Sequence, residues 1–185
     1  MAKNKQILNE ETNLEVQADL QVESYNPFEF ITQTQIITGG REMINSVNVP
    51  AQTVLTQGII LFSTDRVRSN RSNACCGGWL FHDLGSGQFT LTNRGCGCDV
   101  FEIQFNTNLT AATTGALALV IQSNGEAIGG TEMDYTPATA NTYESVSAST
   151  LVKVPAGASV TISVKNISTI SALVKDANII IKKIA

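Results

Sequence analysis

The sequence predicts an all-β sandwich of one domain behind an extended N-terminal arm. Three observations predict it. From about residue 45 onward apolar side chains recur at every second position, turn-forming residues interrupt them at sandwich spacing, and no stretch keeps a helical period. A sheet with one apolar face must bury that face against another sheet, so two stacked sheets are the economical arrangement.

The strands follow in order. Ser46-Val-Asn-Val-Pro50 alternates and stops at proline, and Gly58-Ile-Ile-Leu-Phe62 reads as a short apolar strand. Trp79, Phe81 and Leu84 suggest a packed strand edge. Gly87 to Thr92 sets Phe89 and Leu91 on one face, and Asp99 to Phe105 does the same with Phe101, Ile103 and Phe105. Leu117, Leu119 and Ile121 lead into Ser123-Asn-Gly-Glu126, where Asn-Gly is the strongest short hairpin signal. Ala127 to Met133 is the expected return strand. Tyr143 to Val154, Ser159 to Asn166 and Ala177 to Ile184 complete the set, the last carrying Ile179 and Ile181, and Pro155-Ala-Gly157 turns between the first two of these.

Residues 1–40 differ. Glu10, Glu11, Glu15, Asp19, Glu23 and Glu29 load them with acid, and the sparse apolar residues Leu14, Val16, Leu20 and Val22 are spaced by two. Asn26-Pro27 breaks the pattern and Gly39-Gly40 marks a joint. The reading is a docking arm over 1–40 and a sandwich domain over 41–185. An arm without a core of its own is ordered only by a partner.

The chain has 185 residues, 12 Lys and Arg against 16 Asp and Glu, and a formal charge of −4. That balance excludes nucleic acid as the expected partner, since phosphate binding needs clustered cations; Arg66, Arg68 and Arg71 read as a solvated loop beside Asp65. Only 15% of residues are charged, against about 25% in an average soluble domain. Ser, Thr, Asn and Gln fill the difference, which lets identical copies pack with little repulsion. The first residues lack the apolar stretch of a secretory signal and no run of about 18 apolar residues occurs, so synthesis in a cytoplasm and no membrane span are expected.

Candidate chemistry is sparse. Cys75-Cys76 and Cys96-Gly-Cys98 form two close pairs. Disulfides within or between subunits lead, because neighbouring strands bring cross-strand Cβ atoms within bonding reach. Reduced buried thiols and a four-thiolate zinc site at Cys75, Cys76, Cys96 and Cys98 stay open, although zinc sites favour wider spacing. His82, the single histidine, has Asp83 beside it and Ser86 nearby, but Gly85-Ser86-Gly87 is not the nucleophile elbow of a hydrolase. Glu126, Glu132 and Asp134 lack the pattern of a calcium loop, and Tyr135 and Tyr143 suit core or interface better than sugar stacking. No catalytic residue and no cofactor is expected.

Several motifs occur in a telling order. Gly87-Gln-Phe-Thr-Leu-Thr is similar to a "G-x-F-x-L" strand and Phe101-Glu-Ile-Gln-Phe to "Y-x-V-x-F". Ala116-Leu-Ala-Leu with Ser123-Asn-Gly-Glu-Ala-Ile-Gly-Gly is similar to an "L-x-x-N-G-x-x-I-x-G" hairpin. Val152-Lys-Val-Pro-Ala-Gly-Ala-Ser-Val-Thr-Ile and Ala177-Asn-Ile-Ile-Ile-Lys-Lys-Ile follow. Together, over about residues 58 to 185, they resemble the trimeric jelly-roll domains of the C1q and tumour-necrosis-factor type, as used in phage head fibres and bacterial collagen-like surface proteins. The segment from Cys75 to Cys98 is not a feature of that family, and Ala158 stands where it usually has Asp.

The resemblance implies an all-β jelly roll and a homotrimer whose apolar strand faces meet at a threefold axis. Phage proteins of this shape carry arms that dock on a capsid or tail. The expected function is therefore a virion structural protein, a head fibre or capsid-decoration subunit made in the host cytoplasm and attached to other virion proteins through residues 1–40. A bacterial surface or spore-coat subunit and a glycan-binding adhesion module are the alternatives, with a host glycan as a possible further partner. Phe89, Leu91, Phe101, Ile103, Phe105, Leu117, Leu119, Ile121, Ile179 and Ile181 are the expected core and assembly residues.

Overall fold

The structure is a computed structural model and describes residues 42–68 and 78–185. The expected arm over 1–40, Arg71, Cys75 and Cys76 lie outside the described residues. Within them are twelve strands and no helix. They are β1 (Met43–Asn48), β2 (Gln52–Val54), β3 (Thr64–Arg68), β4 (Leu80–Phe81), β5 (Phe89–Thr92), β6 (Asp99–Thr110), β7 (Leu117–Ser123), β8 (Glu126–Ala127), β9 (Met133–Tyr135), β10 (Glu144–Val154), β11 (Ser159–Asn166) and β12 (Ala172–Lys183).

Two antiparallel sheets stack face to face. One runs β10-β6-β12-β1-β3, with β2 also on β12; the other runs β4-β5-β11-β7-β8, with β9 also on β7. Successive long strands switch sheets, as β6 to β7 and β10 to β11 do, which is the jelly-roll connection. β6 and β12 are the longest strands and pair with each other along most of their length, across a bulge in β12 between Lys175 and Asn178 where Asp176 takes a φ of 54°. Phe101, Ile103, Phe105 and Leu109 from β6 meet Ile179 and Ile181 from β12 on the inner face, all at 0–2% exposure. Each such side chain contributes roughly 1.5–3 kcal/mol through burial. Phe62 fills the middle, edge-on to Phe89 at 5.3 Å and to Phe105 at 6.4 Å between ring centroids.

The Asn124-Gly125 hairpin forms as read, with φ of 53° and 85°, the left-handed pair a two-residue turn requires. The return strand does not run through to Met133. It breaks into β8 and β9 at Gly129-Gly130, where Thr131 folds back so that its Oγ1 accepts from the Ile121 amide and donates to the Ile128 carbonyl. Gly58–Phe62 is likewise not a strand. The Ile60 amide donates to Val164 O and the Phe62 amide to Ser86 O. The segment thus crosses between two different partners, which seats Ile60 and Phe62 in the core and prevents a continuous ladder.

Candidate assembly face and other candidate sites

All ten residues expected to serve core and assembly are 0–2% exposed between the two sheets. Surface for a sister copy therefore comes from the opposite parity of the same strands. On the β10-β6-β12-β1 sheet the register sets these outward residues in three rows. Ser147, Asn106, Asn178 and Val47 form the first, Ser149, Gln104, Ile180 and Asn45 the second, and Leu151, Glu102, Lys182 and Met43 the third.

Only Glu102 and Lys182 in these rows are charged, and they face each other at 3.5 Å. Gln104 Nε2 also donates to Glu102 Oε1 at 2.7 Å, and Asn45 Nδ2 to Asn178 Oδ1 at 3.0 Å. Asn45 Oδ1 is buried without a partner. The rows enclose a shallow hollow of about 560 Å³ around Gln104, Asn106, Ser149 and Ile180. At the outer strand Leu151 is 62% exposed. These three rows, their two charges paired and Lys153 exposed beyond them on β10, mix amides, hydroxyls and aliphatics in the manner of a protein–protein interface core, where charge is depleted. The sequence reading did not single these residues out; the signal present was the run of Ser, Asn and Gln at alternate strand positions.

The cysteines divide. Cys96 and Cys98 sit exposed on the loop between β5 and β6, with no disulfide partner among the described residues. The loop is held by Asn93, whose Nδ2 donates to Gly97 O at 2.7 Å and whose Oδ1 accepts from the Gly95 amide at 2.8 Å. A description as buried thiols does not fit these two.

His82 does not meet its sequence neighbours Asp83 or the Ser86 hydroxyl. Its Nδ1 lies 3.1 Å from Asp65 Oδ1 on β3, and its Nε2 lies 3.4 Å from the Ser86 backbone carbonyl. The ring stacks on Phe89 at 4.1 Å, and its side chain is 0% exposed. Arg68 stands 3.5 Å from Asp65 Oδ2. With a backbone carbonyl where a hydrolase would set a nucleophile, and the imidazole shielded from solvent, this group ties the edge of one sheet to that of the other. Glu126, Glu132 and Asp134 are exposed, Tyr135 donates to Thr142 O at 3.0 Å, and Tyr143 is 40% exposed.

By sequence the chain matches no family profile and no curated protein. By structure it is similar to murine APRIL at 12% identity, over 77% of this chain and 99% of that one, with a TM-score of 0.51. The Eiger TNF of S. frugiperda aligns at 10% identity over 78% of this chain and 94% of that one, with a TM-score of 0.52. The globular domain of zebrafish complement 1qA aligns at 10% identity over 78% and 96%, with a TM-score of 0.48. The fold is a C1q/TNF-like jelly roll. Identities this low speak to fold alone.

Proposed function

We propose that this jelly roll is a non-enzymatic structural subunit that assembles as a homotrimer through the outward face of its β10-β6-β12-β1 sheet. The observation that carries the reading is the charge-depleted middle of that face, three rows whose one ion pair, Glu102–Lys182, neutralises internally, with Lys153 at their rim. A C1q/TNF-like fold supports the threefold arrangement. A closed ring of three copies also covers Leu151 and Ile180, which one copy leaves at the surface.

The finer proposal is that the trimer belongs to a bacteriophage particle as a head fibre or capsid-decoration subunit, anchored by residues 1–40. Their acidic, core-poor composition supports a segment ordered by a partner. Three arms on one trimer bind with an avidity that a single arm lacks.

Light scattering tests the first part. The intact chain is expected at three chain masses, and Ile180→Glu together with Leu151→Glu is expected at one, with an unchanged strand-type circular dichroism spectrum because both side chains point outward. A monomeric parent, or a double variant that keeps the parent mass, overturns the reading. For the second part, deletion of residues 1–40 should leave a trimer that no longer decorates the particle.

A further inference from the structure

The sheet on the far side of the sandwich carries a second concavity with different chemistry. Along β11 the core takes Ile162 and Val164, so Thr161, Ser163 and Lys165 face outward. Gln122 on β7 stands directly opposite Ser163. Ile59, bridged to Lys165, and Gln57 form one wall, Gln88 continues it, and the Asn124-Gly125 turn closes the other end. The hollow holds about 520 Å³, within the range of about 300–1,000 Å³ that small-molecule sites occupy.

Gln122 and Ser163 are each only 6% exposed, both line this hollow, and neither side chain has a hydrogen-bond partner among the described residues. The polar atoms of both side chains open onto the hollow, where water, or the hydroxyls of a ligand, can pair with them. Gln57, Gln88 and Lys165, at the same hollow, also keep their side-chain groups unpaired. Several hydrogen-bonding groups therefore converge on one space that the protein itself does not use.

We propose that this hollow is a carbohydrate-binding site, with Gln122 and Ser163 as its floor and Gln57, Gln88 and Lys165 as its rim. Carboxamides and hydroxyls both donate and accept, and closely spaced sugar hydroxyls do the same. The Ile59 side chain offers the one apolar surface for a sugar's C–H face. A single lysine is too little for a nucleic acid, which needs clustered cations. An extended peptide would need a free strand edge, whereas this is the face of a sheet. Lys165 adds a preference for a sugar bearing a carboxylate. The hollow lies opposite the assembly face, so binding and assembly fail independently.

The test titrates the full-length chain with lactose, N-acetylglucosamine, glucuronic acid and inorganic phosphate, followed by calorimetry and saturation-transfer NMR. At least one sugar is expected to bind saturably, with glucuronic acid ahead of its neutral counterparts. Gln88→Ala and Ser163→Ala should each lower affinity about five-fold, the loss of one neutral hydrogen bond. Gln122→Met should abolish binding with Tm unchanged or raised, because the amide has no protein partner to lose. The proposal is overturned if no sugar binds, if affinity survives these substitutions, or if phosphate binds as well as the sugars. It is equally overturned if Gln122→Met lowers Tm, which would make the amide structural.

Discussion

Asn166 offers the sharpest test of how this sandwich is held together. It closes β11 with an amide that is 0% exposed. Its Nδ2 donates to Val54 O and Ile170 O at 3.0 Å each, with Leu55 O at 3.3 Å, while its Oδ1 accepts from the Ser168 amide at 2.9 Å and the Ser168 hydroxyl at 2.6 Å. One side chain therefore joins β2, the end of β11 and the turn into β12. Asn166→Ala leaves two carbonyls and one amide hydrogen without partners at a buried site. At about 1 kcal/mol for each group the loss is about 3 kcal/mol. For a chain of this size that corresponds to a fall in Tm of about 6–12 °C. Asn166→Asp keeps the shape but sets a second acceptor against carbonyl oxygens, so it should be less stable than Asn166→Ala. Guanidinium and thermal unfolding at one fixed protomer concentration measure both, since assembly makes stability depend on concentration. A fall of less than about 2 °C for Asn166→Ala, or an Asp variant as stable as the parent, would refute the clamp.

Three further outcomes follow from the same geometry. His82→Ala strips the buried Asp65 carboxylate of its imidazole and Phe89 of its stacking partner, and is expected to cost about 3 kcal/mol in chemical unfolding; an ester hydrolysis that vanished with this substitution would restore a catalytic reading. Gly87→Ala should abolish soluble expression, because its Cβ would stand 2.3 Å from Ile60 O, while Gly97→Ala, with nothing within 4 Å, should behave as the parent; equal yields of the two would contradict the close approach of Gly87 to Ile60. Cys96 and Cys98 should take up iodoacetamide in the native, reduced protein, and mass spectrometry finding both protected would contradict their exposed loop.

Much of the fold was legible because it depends on local chemistry. The alternation of Phe101, Ile103 and Phe105 fixes which side of β6 is apolar wherever β6 lies, and Asn124-Gly125 makes a tight hairpin from its own backbone preferences. Single positions that depend on a neighbour were read less well. Gly58–Phe62 looked like a strand because five apolar or small residues in a row give no sign that two different partners will hold them.

The candidate sites were legible only in part, for the same reason. Period two states that Gln122 and Ser163, or Gln104 and Ile180, lie on outward faces; it does not state that they lie side by side. Those adjacencies join residues 41 and 76 positions apart, and they exist because β7 pairs with β11 and β6 with β12. His82 likewise finds Asp65 rather than the adjacent Asp83, since strand neighbours point to opposite sides and the stacking of the two sheets chooses the partner. By itself the sequence determined an all-β sandwich, its turns and the apolar side of each strand, all properties of backbone preference and side-chain period. Tertiary packing alone decided which outward faces are gathered into a charge-poor surface and a polar hollow, because strand partners are selected by the burial of the whole core and not by any local run of residues.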